Sequence, residues 1–321
     1  MTFSPKIELH LHLEGAAPPA FIRGLAREKD IDLSGIFRTD GSYDTGDFKR
    51  FLDVYEAAAS VLTTPEDYAR LTVAVLEDLS ARGVIYAEVF TAPQIAAKND
   101  LPLWRDHVAA MTEAADTVPG IELRQIATCV RHFGPEGARG AARCAAETTG
   151  GQVTGFGMGG DERVLSPEDF TWAFDCAREA GLGLTSHAGE FGGPESVRDT
   201  LDHLKVARIG HGVRAIEDLA LVDRLAEDGI VLEVNPGSNV ALGVYAKIDA
   251  HPIERLRNRG VKVTVSTDDP PFFHTDMDAE YEALHRAFGW DDDIFRQINR
   301  TAAEAAFCDA DTRTTLLKAL E

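Results

Sequence analysis
The sequence is short of positive charge. Its 321 residues carry 32 Lys and Arg against 53 Asp and Glu, for a formal net charge of −21. Nucleic-acid binders neutralise phosphates with clustered Lys and Arg, and no such run occurs here. A nucleic-acid partner is therefore not expected, whereas a nucleobase or nucleoside, which carries no phosphate, is compatible. No apolar stretch approaches the ~20 residues needed to cross a bilayer, so no membrane association is expected. The N-terminus, MTFSPKIELHLHLEG, reaches His and Glu where a signal peptide needs its apolar run. A cytoplasmic location is the default. Four scattered cysteines (Cys129, Cys144, Cys176, Cys308) form no C-x-x-C pair. They are expected to be reduced and mostly buried, not a disulfide frame or a Cys-zinc site. No repeat, low-complexity tract or Pro/Gly/Ser linker divides the chain, and 44% hydrophobic residues exclude a disordered one. One domain over 1–321 is expected.

What recurs is a short apolar strand, a loop and an amphipathic helix. Strands are predicted over 6–13, 84–90, 123–130, 153–157, 182–186, 206–210, 230–234 and 261–266. Helices are predicted from Pro194, over 219–226 and over 252–259, where Pro suits a helix start and Gly229 and Gly260 suit helix ends. Eight such units predict a TIM-type (β/α)8 barrel. A doubly wound sheet would show a Gly-rich phosphate loop after its first strand, and here that strand runs into HLHLEG. Residues 15–68 are too many for one connection and predict extra helices inserted after the first strand, over the active-site face. Within them, 51–62 is amphipathic and fits either a pocket cap or an ordinary packing helix.

Chemistry-bearing residues gather at predicted strand ends. His10 and His12, at i and i+2 on one strand, face the same side. His187 ends the fifth strand, His211 the sixth, and Asp268 and Asp269 the eighth. In a barrel these ends share one face, where catalytic residues collect. His107, His132, His203, His251, His274 and His285 read as ordinary core or surface histidines. Three imidazoles and a carboxylate suit Zn²⁺. The fourth strand ends in GFGMGGDE, without the bridging Lys of two-metal barrels, so one Zn²⁺ per chain is expected, making hydroxide available near neutral pH. Glu190, three residues after His187, fits a proton donor if burial keeps it protonated. Asp269, expected to be held anionic, fits the complementary base. His211 is placed to steer the hydroxide. Gly160 offers a backbone N–H with no side chain in the way, while Asp161 and Glu162 read as solvated or capping residues.

In these segments (HLHLEG, MGGDE, SHAGE, IGHGVRA, NPGSN, STDDPPFF) the sequence resembles, in order and over nearly its whole length, the adenosine/adenine deaminase family of the metal-dependent amidohydrolase superfamily. The resemblance implies that His10, His12, His187 and Asp268 bind zinc and that Glu190 protonates purine N1. It implies that His211 and Asp269 orient the attacking hydroxide, and that His12, Glu14, Gly160 and Asp269 contact the substrate. The H-x-E/P-C-x-x-C deaminase class is excluded, because no C-x-x-C follows His12-Leu13-Glu14.

Within that family the motifs divide. Glu14 stands where adenosine deaminases usually carry Asp, and HLHLEG is commoner in the adenine branch. GPESV and STDDPPFF resemble the adenosine branch, and FTAPQIAA replaces the adenine branch's FFDPQTHT. The resulting expectation is deamination of adenosine and 2′-deoxyadenosine to the 6-oxo purine and ammonia. The alternatives are adenine, a modified adenosine such as aminodeoxyfutalosine, or a catalytically inactive purine-binding barrel. The last would be signalled by loss of Glu190 or Asp269, and both are present.

Overall fold
A computed structural model describes residues 5–321. The predicted strands appear as β1 (Lys6–His12), β2 (Val84–Thr91), β3 (Glu122–Val130), β4 (Val153–Gly159), β5 (Gly183–Ala188), β6 (Arg208–His211), β7 (Val231–Val234) and β8 (Lys262–Val265). They pair in sequence order, all parallel, with helices between them. The ring closes where β1 meets the segment after β8. There Leu11 bridges Asp268, the His12 N–H donates to the Asp268 carbonyl at 3.0 Å, and the Asp268 N–H donates to the His10 carbonyl at 3.1 Å. The architecture is the expected TIM barrel.

The excursion after β1 holds helices Pro19–Glu28 and Phe48–Ala59, with a 3-10 turn Ser34–Ile36. The crossover helix Pro65–Ala81 starts three residues inside the predicted 15–68 boundary. A capping box fixes that start: Thr64 accepts from the Asp67 N–H, and Asp67 returns a contact to Thr64. Helix Phe48–Ala59 is capped by Asp47, which accepts from the Arg50 N–H at 2.9 Å. Its face of Phe51, Val54 and Ala58 is buried, and Phe51 packs on Phe272 and Phe273 from the β8 loop. Burying one such large side chain contributes roughly 1.5–3 kcal/mol, so Phe51→Ala would loosen this helix first.

The barrel lumen is charged. Arg208 on β6 reaches Glu88 on β2 at 2.5 Å and Glu233 on β7 at 2.6 Å, with all three side chains buried. The far end of the lumen is stoppered by Phe307, whose ring lies 3.6 Å from the Arg208 guanidinium carbon. A Cβ at Gly155 or Gly183 would overlap that ring, so these two strand glycines make room for the stopper. All four cysteines are free thiols, two buried and two half-buried.

Candidate active site
The closure of the barrel assembles the site. Nε2 of His187 lies 3.1 Å from Nε2 of His10 and 3.2 Å from Nε2 of His12. Asp268 Oδ1 lies 3.4 Å and 3.3 Å from the same two β1 nitrogens. A tetrahedral ion with arms of about 2.0–2.1 Å needs donor atoms roughly 3.3–3.4 Å apart. These four distances, 3.1–3.4 Å, are close to that spacing, so the set can hold one Zn²⁺-sized ion. His211 and Glu190 form an adjoining group with Asp268.

The outer nitrogens explain the aim of the rings. His10 Nδ1 lies 2.7 Å from Glu233 Oε2, and His187 Nδ1 lies 2.8 Å from the Met158 carbonyl. Both partners are acceptors, so Nδ1 carries a proton and Nε2 is the atom that faces the cluster and would be bared for a cation. The Ser238 hydroxyl donates to Asp268 Oδ2 at 2.6 Å. Burial pushes the His10 imidazole down, but Asp268 and Glu233 outweigh it and hold it at about 9. Burial and the positive His10 beside it push His187 well below the usual range. Burial raises Asp268, yet hydrogen bonds from His10 and His12 hold it well below the usual carboxylate value. Filling such a cluster with a cation releases protons.

Three further groups face the same point. Burial, then the negative Asp268, pushes the Glu190 carboxyl well above its ordinary value. That meets the condition set for a proton donor. Asp269 is also pushed well above its ordinary value, by burial and by Asp268 and Glu190. The expected anionic Asp269 is thus not a property of the protein alone, because two carboxyls flank it; a cation at the cluster acts in the opposite direction. Glu190 Oε1 and Asp269 Oδ1 are buried without a hydrogen-bond partner, an arrangement that calls for a ligand. His211 Nδ1 lies 3.1 Å from Asn239 Nδ2 and 3.4 Å from Asn235 Nδ2. As the acceptor there, Nδ1 is bare and Nε2–H points toward Glu190 at 3.7 Å. His211 and Asp268 both hold left-handed backbone, at φ 60° and 68°, a conformation concentrated at functional sites.

Above the cluster lies a cavity of about 100 Å³ lined by His12, Glu14, Gly160, Glu190, His211 and Asp269, among others, and roofed by Phe48, Phe51, Leu52 and Tyr55. The helix read as cap or packing element does both. Glu14 is buried, taking a hydrogen bond from the Tyr68 hydroxyl at 2.9 Å and a longer one from Tyr55 at 3.5 Å. Burial raises its carboxyl to about 7. Gly15 is required beside it, since a Cβ there would run into the Asp269 carboxyl. Gly160 has φ +96°, and a Cβ would lie 2.8 Å from His132 Nδ1. The chain needs glycine at this point for both reasons.

Among the residues read as ordinary histidines, one lines the cavity and another is a buried, hydrogen-bonded core residue. His132 lines the cavity, and His251 Nε2 lies 3.1 Å from the Asn239 that contacts His211. Glu162 is not solvated. It is buried and gathers the backbone N–H groups of 189–192. Sequence reasoning missed it because its partners lie 27 to 30 residues away. Glu233, Arg208 and Tyr68 were missed as well. A Glu inside the apolar run IVLEV is the one signal that was legible.

Comparisons with known proteins give the family and the fold. The family model described as "Adenosine deaminase" matches residues 5–321. An adenine deaminase of Chelativorans sp. (strain BNC1) is 49% identical over 318 residues, spanning 98% of each chain. The crystal structure of adenine deaminase from Arthrobacter aurescens superposes with a TM-score of 0.91 at 30% identity, covering 99% of this chain and 98% of that one. An amidohydrolase from Burkholderia ambifaria, with bound Zn, gives a TM-score of 0.86 at 28% identity, covering 99% and 89%. Among the described residues no helix is long and apolar enough to cross a membrane. The chain belongs to the adenosine deaminase family of the amidohydrolase superfamily, a deaminase acting in the adenine/adenosine class.

Proposed function
We propose that the chain hydrolyses adenine to hypoxanthine and ammonia, with one zinc ion held by His10, His12, His187 and Asp268. The donor spacing supports a tetrahedral ion, and a relative of the same fold is described with bound Zn. Zinc, when bound, supplies an acidified water near neutral pH. The chain's own residues do the rest. Glu190 holds a proton at a buried carboxyl and presents it to N1 of the ring. Asp269 takes a proton from the incoming water, and His211, bare at Nδ1, offers its Nε2–H to orient that water. The Gly160 N–H meets the purine edge. The roof helix excludes bulk water, which strengthens each of these contacts. The base plus one water gives the 6-oxo purine plus ammonia.

The observation that carries adenine over the adenosine expected from sequence is Glu14. A free nucleobase bears an N–H on its five-membered ring, which ribose replaces in the nucleoside. Glu14, buried at the cavity wall with its carboxyl raised to about 7, is an acceptor and donor suited to that edge. Tyr68 and Tyr55 hold that carboxyl at the cavity wall. The cavity is small against the roughly 300–1,000 Å³ of sites for drug-sized ligands. Outside the Asp268–Asp269 pair, the segments that favoured adenosine do not line it. In GPESV, Ser196 bonds Glu162; in STDDPPFF, Phe272 and Phe273 pack on the roof helix. The curated relative's name points the same way. Ammonia release from adenine, adenosine and 2′-deoxyadenosine, assayed side by side with zinc-loaded protein, tests the reading. Adenine should be strongly preferred; preference for either nucleoside overturns it.

A further inference from the structure
We propose that Glu162 is a positioning residue for the reaction, a buried carboxylate that sets the place of Glu190 by gripping the backbone on both sides of it. The proposal rests on the reading that Glu190 is the proton donor, and extends it to a residue outside the cavity lining.

The grip is unusually complete. Oε2 of Glu162 accepts from the N–H groups of Glu190 (3.0 Å), Phe191 (2.8 Å) and Gly192 (2.9 Å). Oε1 accepts from the Gly189 N–H and the Ser196 hydroxyl, each at 2.5 Å. Four consecutive backbone donors in a non-helical loop would otherwise have no partner, and buried backbone N–H groups are rarely left so. Gly192 is needed for the approach, because a Cβ there would run into the Glu162 carboxylate. Arg214 secures the other side of the loop through the carbonyls of Gly189 and Phe191. Glu162 is itself anchored, its carbonyl accepting from the buried Arg131 at 2.9 Å.

Glu190 needs such a holder. Its Oε1 has no hydrogen-bond partner, and its Oε2 lies 3.7 Å from His211, beyond hydrogen-bond reach. The direction of its side chain is therefore inherited from its backbone. Glu162 also lies two residues after Gly160, which lines the same cavity. One short segment thus fixes two of the groups proposed to meet the purine, and sets their separation. Burial raises the Glu162 carboxyl, but the Ser196 hydroxyl and the backbone N–H groups outweigh it and hold it ionised. Glutamine is a poor substitute, since its amide N–H₂ would face N–H donors.

The experiment compares Glu162→Gln, Ser196→Ala and Glu190→Gln with the wild type, each zinc-loaded and checked for zinc content. The readouts are kcat and KM for adenine, and hydrogen–deuterium exchange of the backbone amides of 189–192. A displacement of about 1 Å at a reacting group costs on the order of 100-fold. Glu162→Gln should lose about that much kcat with KM little changed, and its 189–192 amides should exchange faster while the rest of the barrel keeps wild-type protection. A folded, zinc-bearing Glu162→Gln with wild-type kcat or wild-type exchange overturns the proposal. If that variant does not fold, Ser196→Ala decides. It removes one of the five donors, and should speed exchange at 189–192 and lower kcat modestly; no change in either overturns the proposal. Wild-type turnover in Glu190→Gln would instead overturn the acid reading. A dead Glu190→Gln beside an unaffected Glu162→Gln overturns the grip alone.

Discussion
Replacing Glu233 by Gln alters zinc binding without touching a proposed ligand. Glu233 Oε2 meets His10 Nδ1 at 2.7 Å, while Oε1 meets Arg208 Nε at 2.6 Å and the Thr185 hydroxyl at 2.9 Å. Glutamine keeps one acceptor oxygen and turns the other into a donor. Arg208 cannot give up its proton, so the remaining oxygen goes to it. The His10 Nδ1–H then faces an N–H₂ group. The ring relieves that clash by moving its proton to Nε2, the atom aimed at the cluster, and loses its lone pair there. Losing an outer partner of a metal-ligating His typically costs 10–100-fold in affinity, roughly 1.4–2.8 kcal/mol. Arg208 keeps Glu88 at 2.5 Å, so the fold should lose less than the about 3–5 kcal/mol of a fully broken buried pair. Zinc titration of metal-free protein against a competing chelator gives the affinity, and thermal melts check folding. A folded Glu233→Gln that binds zinc as tightly as the wild type would refute the tautomer argument.

Other expectations follow from the same geometry. Glu190→Gln should lower kcat by on the order of 10²–10⁴-fold, the usual worth of a positioned acid, with zinc content unchanged by elemental analysis; undiminished kcat counts against its role. His12→Ala should bind zinc poorly, and full occupancy would remove His12 from the ligand set. Tyr68→Phe leaves the buried Glu14 short of a donor, a loss of about 1–3 kcal/mol. It should raise KM for adenine more than it lowers kcat, and an unchanged KM would take Glu14 out of substrate binding. Burial raises the Glu280 carboxyl to about 7, against partial relief from Thr275 and the Gly237 N–H. A raised folded-state pKa means the folded form holds the proton longer than the unfolded chain. The associated stability is present below about pH 4.5 and is lost as pH rises through about 7, on the order of 3 kcal/mol. Glu280→Gln should therefore gain stability relative to wild type between pH 5 and 8, and a pH-independent difference in urea midpoints would contradict this.

The order and period of the chain were enough for the architecture. Short apolar runs alternating with amphipathic segments, punctuated by Pro at helix starts and Gly at helix ends, are local signals. They count eight strands without any long-range information. The candidate site residues were legible for a related reason. His10, His12, His187, His211, Asp268 and Asp269 stand at strand ends, and a barrel sends all such ends to one face, so topology did the work of bringing them together.

What tertiary structure alone decided is everything held by distant partners. Glu162 looks like a surface acid in MGGDE until the fold lays four N–H groups against it. Glu233 and Arg208 are single charges in apolar strands, and their meaning lies in which lumen neighbours the ring closure supplies. Outside the Asp268–Asp269 pair, GPESV and STDDPPFF carried a family resemblance that the fold spends on loop anchoring and roof packing, whereas Glu14, one residue against both segments, faces the cavity. A linear motif records which residues occur together along the chain. Whether they meet the substrate depends on which way the backbone turns them, and on what the rest of the barrel leaves for them to bond.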